Sequence, residues 1–354
     1  MKINFLTTKL SGLTGGVIYD EELYNRLLQR FPGQVSLIED QNFGDEFKGI
    51  TPNFRRYAQV YKKHAKELLE CDYLIINSRL YTRFITFPWT INPSCKVMLI
   101  HHHFNFMTHS GILKIIHKYF EINFLIRADC LITPNPYTKD TIVKLGLKNR
   151  IALLEAYINK ETHTDFKHKK DVISFIGTVE PRKGLHYGIP AFKRFVEKHP
   201  SYQFKIAGTL KANNYINKLK RIVKDLDLEN NVVFLGRVNE KQKDELYKES
   251  KCFLFPSQNE GYGWVLIEAM SYGLPVIAFD NTAMPYTVNN GNGRIVKNKD
   301  IAAMGKALAE IIDSQKLYND LANGAIATVK ELPSKEQISL EYNDFFDTLS
   351  DSIK

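Results

Sequence analysis

The feature that most constrains the fold is an alternation of short apolar segments with amphipathic segments of helical period. In the first half of the chain the apolar segments are "KINFLT", "QVSLIE", "CDYLIINS", "CKVMLI" and "ADCLITP". Each is nearly continuous in hydrophobicity, as expected for strands of a parallel sheet covered on both faces. The segment "YDEELYNRLLQRF" between the first two is typical of an amphipathic helix. The alternation therefore predicts βα units around a parallel sheet.

The same alternation begins again after the polar segment 159–171, which reads as a linker between domains. Its apolar segments are "VISFIGT", "YQFKIAG", "NVVFLG", "KCFLFP" and "PVIAFD". A chain of 354 residues also suits two domains better than one. We expect Rossmann-like domains at 1–160 and 171–335, with a C-terminal helix at 336–354 packed on the first. Ligands of such folds bind beyond the carboxyl ends of the strands.

Composition excludes several classes of protein. Hydrophobic residues make up 44% of the chain and charged residues 25%, which is ordinary for a soluble globular protein. The four cysteines include no C-x-x-C pair, which disfavours a zinc site or a disulfide framework and favours a reducing compartment. No apolar run reaches the ~18 residues of a membrane span, and the start "MKINFLTTKLSG" reads as a strand rather than a signal peptide. We expect a cytoplasmic protein.

Two glutamates stand out in the stretch "PSQNEGYGWVLIEAMSYGLPV". Glu260 lies in a glycine-rich turn, and Glu268 lies on the following helix among apolar residues, where a buried carboxylate is costly unless something pairs with it. Gly261 and Gly263 allow backbone N–H groups to approach an anion at the start of that helix. A ligand that meets both carboxylates and the helix end needs hydroxyls at each end and an anion between them. A nucleotide sugar has this layout.

This stretch resembles the E-x7-E signature of retaining glycosyltransferases with the GT-B fold, in the family called GT4. The segment "FIGTVEPRKGLHYGIPAF" resembles the family segment whose lysine binds the donor diphosphate, and Lys183 takes that position. The loop "GLTGG" with Gly15 and Gly16, the histidines after "VMLI", and "GNGRIV" near Arg294 follow in the family's order. The resemblance covers almost the whole chain. It implies a GT-B fold in which two Rossmann-like domains face each other across a cleft.

The resemblance also implies roles for these residues. Glu268 would bind the ribose hydroxyls, Glu260 the hydroxyls of the transferred sugar, and Lys183 the leaving diphosphate. His101, directly after "VMLI", would meet the sugar from the other domain, although His102 or His103 could take that place. The reaction would need no metal and no cofactor, with a donor phosphate oxygen as the base. The implied donor-binding residues are Gly16, Arg182, Lys183, Glu260, Gly261, Tyr262, Gly263 and Glu268.

The chain departs from the family pattern at two positions. Thr178 follows Gly177 where the family commonly has an arginine, and Arg182 is our candidate to supply the missing charge. Tyr286 follows Pro285 in a segment where the family often has an acidic residue. We expect Trp264 to help shape the sugar pocket.

Three further patterns have a simpler structural interpretation. The run His101–His103 could bind a metal, but adjacent residues of an extended chain point in opposite directions. The "DLD" at 225–227 mimics a metal-binding D-x-D motif, yet its position predicts a solvated helix end. Gly15 and Gly16 followed by Glu39 or Asp40 could indicate a dinucleotide site, but no G-x-G-x-x-G is present.

The net charge of +9 favours an anionic partner, and a basic helix at 54–70 is the strongest local source of that charge. Its exposed face is either an ordinary solvated surface or a surface for anionic lipid, with the aromatic Phe54, Tyr57 and Tyr61 beside the charges. The nearby segment "GILKIIHKYFEINFLIR" is apolar enough for a core or for a membrane interface. Nucleic acid is disfavoured because no known binding module is present. The basic residues are Arg55, Arg56, Lys62, Lys63 and Lys66.

The resemblance therefore implies a retaining, metal-independent hexosyltransferase that acts in cell-surface glycan biosynthesis. Its donor would be a nucleoside-diphosphate sugar, with UDP favoured over GDP, and its acceptor a saccharide or a lipid-linked molecule. The protein would be cytoplasmic or peripheral on the inner face of the membrane. The alternatives are a nucleotide-sugar epimerase, a sugar phosphorylase, or an inactive nucleotide-sugar-binding protein on the same fold.

Overall fold

The computed structural model describes residues 1–10, 15–40, 42–43, 54–158, 161–164, 169–210 and 213–351. Within these ranges the chain forms two compact units, which we call the first and second units. The first contains Met1–Tyr157 and Pro333–Lys354, and the second contains Ile158–Leu332. Positions 11–14 of the predicted glycine loop, and positions 159, 160 and 165–168 of the predicted linker, lie outside the described residues.

The first unit is built on a six-stranded parallel sheet with strand order β2-β1-β3-β4-β5-β6. Its strands are β1 (Ile3–Thr7), β2 (Val35–Glu39), β3 (Tyr73–Asn77), β4 (Lys96–Ile100), β5 (Cys130–Thr133) and β6 (Arg150–Leu153). Its helices are α1 (Gly15–Arg30), α2 (Phe54–Lys63), α3 (Ala65–Leu69), α4 (Gly111–Leu125), α5 (Pro136–Lys144) and the last, α13 (Lys335–Asp351).

The second unit repeats the plan with the order β12-β11-β10-β7-β8-β9. Its strands are β7 (Val172–Ile176), β8 (Gln203–Ala207), β9 (Val232–Gly236), β10 (Cys252–Phe255), β11 (Val276–Asp280) and β12 (Gly293–Lys297). Its helices are α6 (Leu185–Val196), α7 (Asn213–Asp225), α8 (Glu240–Glu249), α9 (Trp264–Ser271), α10 (Met284–Thr287), α11 (Ile301–Asp313) and α12 (Gln315–Glu331).

Each sheet reverses its winding direction at one place, between β1 and β3 in the first unit and between β7 and β10 in the second. At such a switch point the loops after the two central strands run in opposite directions and leave a crevice beyond the carboxyl ends of the strands. The fold therefore gives each unit one preferred place for a ligand.

The predicted α/β fold with two parallel sheets is confirmed, but two strands escaped the sequence interpretation. Both β6 and β12 lie at the edge of their sheets, and most of their side chains are only half-buried. An edge strand needs less hydrophobic sequence than a central strand, because one flank and part of one face meet water. The apolar pattern was correspondingly weak.

The C-terminal helix α13 packs on the first unit. The Tyr73 hydroxyl donates to the carbonyl oxygen of Leu349 at 2.9 Å, and Arg30 and Asp347 form an ion pair at 2.6 Å. The Arg26 guanidinium lies 4.5 Å from the centre of the Tyr342 ring. These contacts join the end of the chain to β3 and α1.

The basic segment 54–70 differs from its prediction in two respects. It breaks at His64 into α2 and α3, so the predicted continuous helical face does not reach Lys66. Tyr61 is fully buried, and Tyr57 is half-buried under the Arg83 guanidinium, 4.6 Å from its ring centre. Tyr57 and Tyr61, two of the three aromatic residues expected on the exposed face, therefore pack against the protein instead of facing solvent. The side chain of the third, Phe54, lies outside the described part. The five basic side chains are exposed. None of the described helices is long and apolar enough to span a bilayer.

Candidate active site

The switch point of the second unit brings together the two loops singled out in the sequence. The loop after β7 carries the 3-10 turn Pro181–Lys183, and the loop after β10 carries Glu260. Gly184 lets these loops touch: its φ is +68°, and a Cβ atom there would lie 1.9 Å from the carbonyl oxygen of Pro256. Only glycine fits this crossing, which fixes the position of Lys183.

Lys183 and Glu260 form a buried ion pair at the base of this crevice. The Lys183 ammonium donates to Glu260 Oε1 at 2.6 Å, and both residues are buried. The same oxygen accepts from the Ser257 hydroxyl at 2.6 Å and from Arg182 Nη1 at 3.1 Å. Three donors on one oxygen hold the carboxylate in a single orientation.

Burial and charge act against each other on this pair. Burial raises the pKa of Glu260, but the Lys183 and Arg182 charges outweigh it and hold that pKa below its usual value. Burial lowers the pKa of Lys183, and the Glu260 carboxylate opposes that shift. The site therefore contains an ionised carboxylate bound to a desolvated ammonium group.

Arg182 is engaged by the protein on three sides. Its Nη2 and Nε donate to Glu180 Oε1 at 2.7 and 3.1 Å, and its Nη1 donates to the carbonyl oxygen of Asn259 at 2.7 Å. These bonds tie the loop after β7 to the loop after β10. Whether Arg182 also supplies the phosphate-binding charge absent at Thr178 stays a prediction.

Glu268 is only partly buried, and the expectation of a buried carboxylate on α9 is wrong. Its side chain is 34% exposed, and Oε2 accepts from the Tyr247 hydroxyl at 3.1 Å and lies 3.3 Å from Lys243 Nζ. Both partners come from α8, four residues apart, and therefore lie on one face of that helix. The sequence interpretation missed Lys243 and Tyr247, although their i, i+4 spacing was a usable signal.

The turn between the two glutamates has the geometry of a glycine-dependent helix start. Gly263 has φ +81°, and a Cβ atom there would come within 3.0 Å of Leu266 Cδ1. Gly261, Tyr262 and Trp264 are half-buried. The Glu260 N–H donates to Thr282 Oγ1 at 3.0 Å, which holds the turn to the loop after β11.

In the first unit, His101 follows β4 and is completely buried. Its Nδ1 lies 2.8 Å from the Ser78 hydroxyl oxygen, while its Nε2 is buried without a hydrogen-bond partner in the described structure. Burial, with minor contributions from His103 and His102, lowers the pKa of His101 well below its usual value. The ring is therefore neutral at physiological pH.

His102 belongs to a separate polar cluster. Its Nε2 lies 2.8 Å from Asp20 Oδ1, and Asn77 donates to the other oxygen of that carboxylate. Gly16 packs against the His102 ring, since a Cβ atom added at Gly16 would lie 3.7 Å from the nearest atoms of that ring. The sequence interpretation missed Asp20, although an aspartate three residues before Leu23, on the buried face of α1, was a recognisable signal.

The residues behind the weaker alternatives have structural partners or lie at exposed ends. Glu39 accepts from the Leu10 N–H at 2.6 Å, and Asp40 accepts from the Tyr61 hydroxyl at 2.9 Å. Asp225 and Asp227 lie exposed at the end of α7. No group of three or more potential metal ligands occurs among the described residues.

Comparison with known proteins shows what the segment that carries this site is similar to. Residues 158–328 match the model for "Glycosyl transferases group 1". A glycosyltransferase of Haemophilus influenzae, otherwise uncharacterized, is 26% identical over 285 residues, covering 75% of this chain and 74% of that protein. The capsular polysaccharide biosynthesis glycosyltransferase CapM of Staphylococcus aureus is 27% identical over 215 residues, covering 59% of this chain and 56% of CapM.

Solved structures show the same architecture. Sucrose-phosphate synthase from Thermosynechococcus elongatus superimposes with a TM-score of 0.79 at 17% identity, covering 99% of this chain and 100% of that one. Anabaena HepE in complex with UDP and glucose superimposes with a TM-score of 0.73 at 18% identity, covering 99% and 100%. The match to the group 1 glycosyltransferases thus lies within the second unit, and the protein is a glycosyltransferase with the GT-B fold.

Proposed function

We propose that the protein transfers a hexose-type sugar from a nucleoside-diphosphate sugar, with UDP favoured over GDP, to a saccharide or lipid-linked saccharide acceptor. The transfer retains the configuration of the sugar and contributes to cell-surface glycan synthesis. The observation that carries this proposal is the buried Lys183–Glu260 pair at the switch point of the second unit. The name of CapM, which is a capsular polysaccharide enzyme, and the UDP complex of HepE support the class of product and of donor.

Each part of a nucleotide sugar has a matching group in the second unit. Lys183 neutralises the leaving diphosphate as the bond to the sugar breaks, and the amides of Gly261–Gly263 assist it. Glu260, held by Ser257 and Arg182, accepts from hydroxyls of the transferred sugar. Glu268 accepts from the ribose hydroxyls. His101, whose buried ring is neutral, stays the predicted imidazole contact of the transferred sugar, and a donor phosphate oxygen removes the proton from the acceptor hydroxyl.

The first test measures thermal stabilisation of the purified protein by UDP-, GDP- and dTDP-sugars. A ligand that binds only the folded state raises the midpoint of unfolding, and at one ligand concentration the shift is larger for the ligand that binds more tightly. UDP-sugars should give the largest shift. If none of these sugars moves the midpoint, the nucleotide-sugar site is wrong.

The products then separate this proposal from its alternatives. An epimerase converts the donor sugar without an acceptor, a phosphorylase releases sugar phosphate and carries a pyridoxal-type absorbance, and an inactive binding protein is stabilised without turnover. Retention of the anomeric configuration is read by NMR of the product. An inverted product would contradict the retaining reaction.

Metal independence is proposed because Lys183 and the helix-end amides already oppose the diphosphate charge. Transfer should therefore proceed at an unchanged rate in EDTA. Complete loss of activity on chelation, with recovery on addition of Mg²⁺ or Mn²⁺, would overturn this part of the proposal.

An anionic membrane surface is the proposed partner of the exposed basic side chains of α2 and α3. Each basic residue near such a surface adds on the order of 1 kcal/mol of attraction. Replacing all five basic residues by glutamine should weaken binding to anionic liposomes and leave nucleotide affinity unchanged. The residues are Arg55, Arg56, Lys62, Lys63 and Lys66.

A further inference from the structure

The first two turns of α4 expose a row of large apolar side chains. The exposed fractions are 69% for Ile112, 65% for Ile115, 42% for Ile116 and 64% for Tyr119. Their spacing of i, i+3, i+4 and i+7 places them on one side of the helix. Ile126, which is 58% exposed just beyond the helix, extends the same side. Contiguous exposed apolar surface of this kind marks an interaction site.

The rest of α4 is firmly anchored, so the exposed row belongs to a well-packed helix. Phe124 and Leu125 are buried in the core of the first unit. Glu121 is also buried, and its carboxylate accepts from the backbone N–H groups of Asn105 and Phe106, both at 2.9 Å. The helix is thus held by its C-terminal half, with its N-terminal half projecting into solvent.

The charge around the row has one sign. Lys114 and Lys118 are exposed on the same two turns. Between residues 105 and 128 the sequence has a single acidic residue, Glu121, and that residue is buried. A surface that meets this row therefore encounters isoleucine and tyrosine beside lysine, with no acidic side chain from this segment to repel an anion.

The basic helix α2 is a neighbour of α4 through a shared 3-10 segment, Ser78–Phe84. Tyr81 of this segment contacts His117 of α4 through a hydrogen bond. Arg83, two residues later, stacks on Tyr57 of α2, with 4.6 Å between the guanidinium carbon and the ring centre. The apolar row and the basic residues therefore belong to one part of the first unit.

We propose that the first two turns of α4 insert their isoleucine side into the interfacial layer of an anionic bilayer, while α2 supplies charge attraction beside it. The helix has 15 residues, or about 22 Å at 1.5 Å per residue, which is too short to cross the ~30 Å apolar core of a bilayer. An amphipathic helix of this length lies in the membrane plane. The exposed lysines of α4 and the basic side chains of α2 complement an anionic surface, which favours a bilayer over a second copy of this basic chain.

This inference deepens the membrane part of the proposed function by giving it an apolar anchor. It differs from an electrostatic patch alone in its dependence on salt. Attraction between charges is screened over about 8 Å at physiological ionic strength, whereas burial of isoleucine persists. Binding to vesicles should fall as salt rises and then level off above zero.

The test measures partition of the full chain onto vesicles of phosphatidylglycerol and phosphatidylcholine by co-sedimentation at low and high salt. The double variant Ile112→Gln/Ile116→Gln should bind on the order of tenfold or more weakly at both salt concentrations. The matched control is Leu340→Gln, which removes a leucine that is 62% exposed on α13, and it should bind like the wild type. Circular dichroism and the unfolding midpoint check that each variant is folded.

The inference is overturned if the wild-type chain stays in solution with anionic vesicles at low salt. It is also overturned if the double variant binds vesicles as well as the wild type, or if the Leu340→Gln control loses as much vesicle binding as the double variant. A lipid-free dimer that the double variant converts to monomer would assign the row to self-association instead. Stabilisation by UDP-sugars is measured without vesicles, so failure of the donor site and failure of the membrane contact are separate outcomes.

Discussion

The two units have the same sheet plan, but they hold the polar groups of their loops in different ways. In the second unit, a steric interlock of Gly184 with Pro256 and the ion pair of Lys183 with Glu260 fix the loops at the switch point. In the first unit, the loop after β4 is held through hydrogen bonds from Asn105 and Phe106 to the buried carboxylate of Glu121. The loops at the switch point of the second unit are thus held by a close backbone contact and an ion pair. The loop after β4 is held by the Glu121 carboxylate.

The pKa shifts show what this difference means. The Lys183 and Arg182 charges hold the pKa of Glu260 below its usual value, so this carboxylate stays ionised through the neutral range. Burial outweighs the hydrogen bonds of Glu121 and raises its pKa to about 7. The support of the loop after β4 therefore changes protonation near neutral pH, whereas the Glu260 carboxylate at the switch point of the second unit does not. The following predictions test this contrast in order of expected effect.

Removal of the Lys183 charge should have the largest effect. Lys183→Met deletes the cation that meets the leaving diphosphate, and loss of one such preorganised group costs about 10²–10³ in kcat. Initial rates at saturating donor measure this loss, and the unfolding midpoint shows whether the protein still folds.

Lys169 provides a matched control in the same unit. It is also a lysine whose pKa burial lowers, to about 8, and its ammonium donates to the carbonyl oxygens of Tyr247 and Tyr272, both at 3.2 Å. Lys169→Met should reduce stability and leave the kcat of the folded protein near that of wild type. Equal loss of kcat in both variants would show that Lys183 acts only through the fold.

The steric interlock can be tested with two glycines of identical φ. Gly184→Ala places a methyl group 1.9 Å from the Pro256 carbonyl oxygen, whereas at Gly236, also at φ +68°, the methyl group would meet nothing within 4 Å. Backbone conformation alone should cost Gly236→Ala about 1 kcal/mol, and the clash should bring Gly184→Ala to roughly 3 kcal/mol or more. Urea denaturation measures both. Equal free energies of unfolding would mean that the loops can part without cost.

The sequence predicted ten of the twelve described strands and singled out both glutamates through local patterns, and the family resemblance supplied Lys183. Strongly apolar runs belong to strands buried on both faces, and the glycine-rich turns show where those strands end. The edge strands β6 and β12, whose side chains are mostly half-buried, were missed, whereas the similarly exposed edge strands β2 and β9 were recognised.

What the sequence could not predict depends on contacts between distant positions. Cys71 and Cys95 form no sequence motif, yet their sulfur atoms lie 3.6 Å apart because β3 and β4 are neighbours in the sheet. Glu268 looked buried because its sequence neighbours are apolar, but one side of α9 opens towards Lys243 of α8. The spacing of residues along a helix predicts which side chains share a face. The packing of distant elements determines whether that face contacts the core, a neighbouring helix or solvent.

The pH dependence of stability tests the titrating support of the first unit. The folded-state pKa of Glu121, about 7, lies above its ordinary value of 4.5, so its protonated form favours folding. This contribution is complete below about pH 4.5 and is lost as pH rises through 7, with a total on the order of 3 kcal/mol. Glu121→Gln should flatten the free energy of unfolding between pH 5 and 8. A variant with the wild-type slope would assign the dependence to another group.

Glu268→Gln should have the smallest of these effects, because it removes charge from an acceptor and leaves its shape. Weaker hydrogen bonds to the ribose should lower UDP affinity about tenfold, equivalent to ~1.4 kcal/mol, with the unfolding midpoint little changed. The matched control is Glu240→Gln, since Lys243 bridges Glu240 at 2.9 Å and Glu268 at 3.3 Å. Both variants leave Lys243 with one carboxylate fewer, but only Glu268 lies on α9, the helix that follows the turn of Glu260 and Gly263. Calorimetric titration with UDP should therefore separate them, and equal affinities in the two variants would exclude a ribose contact at Glu268.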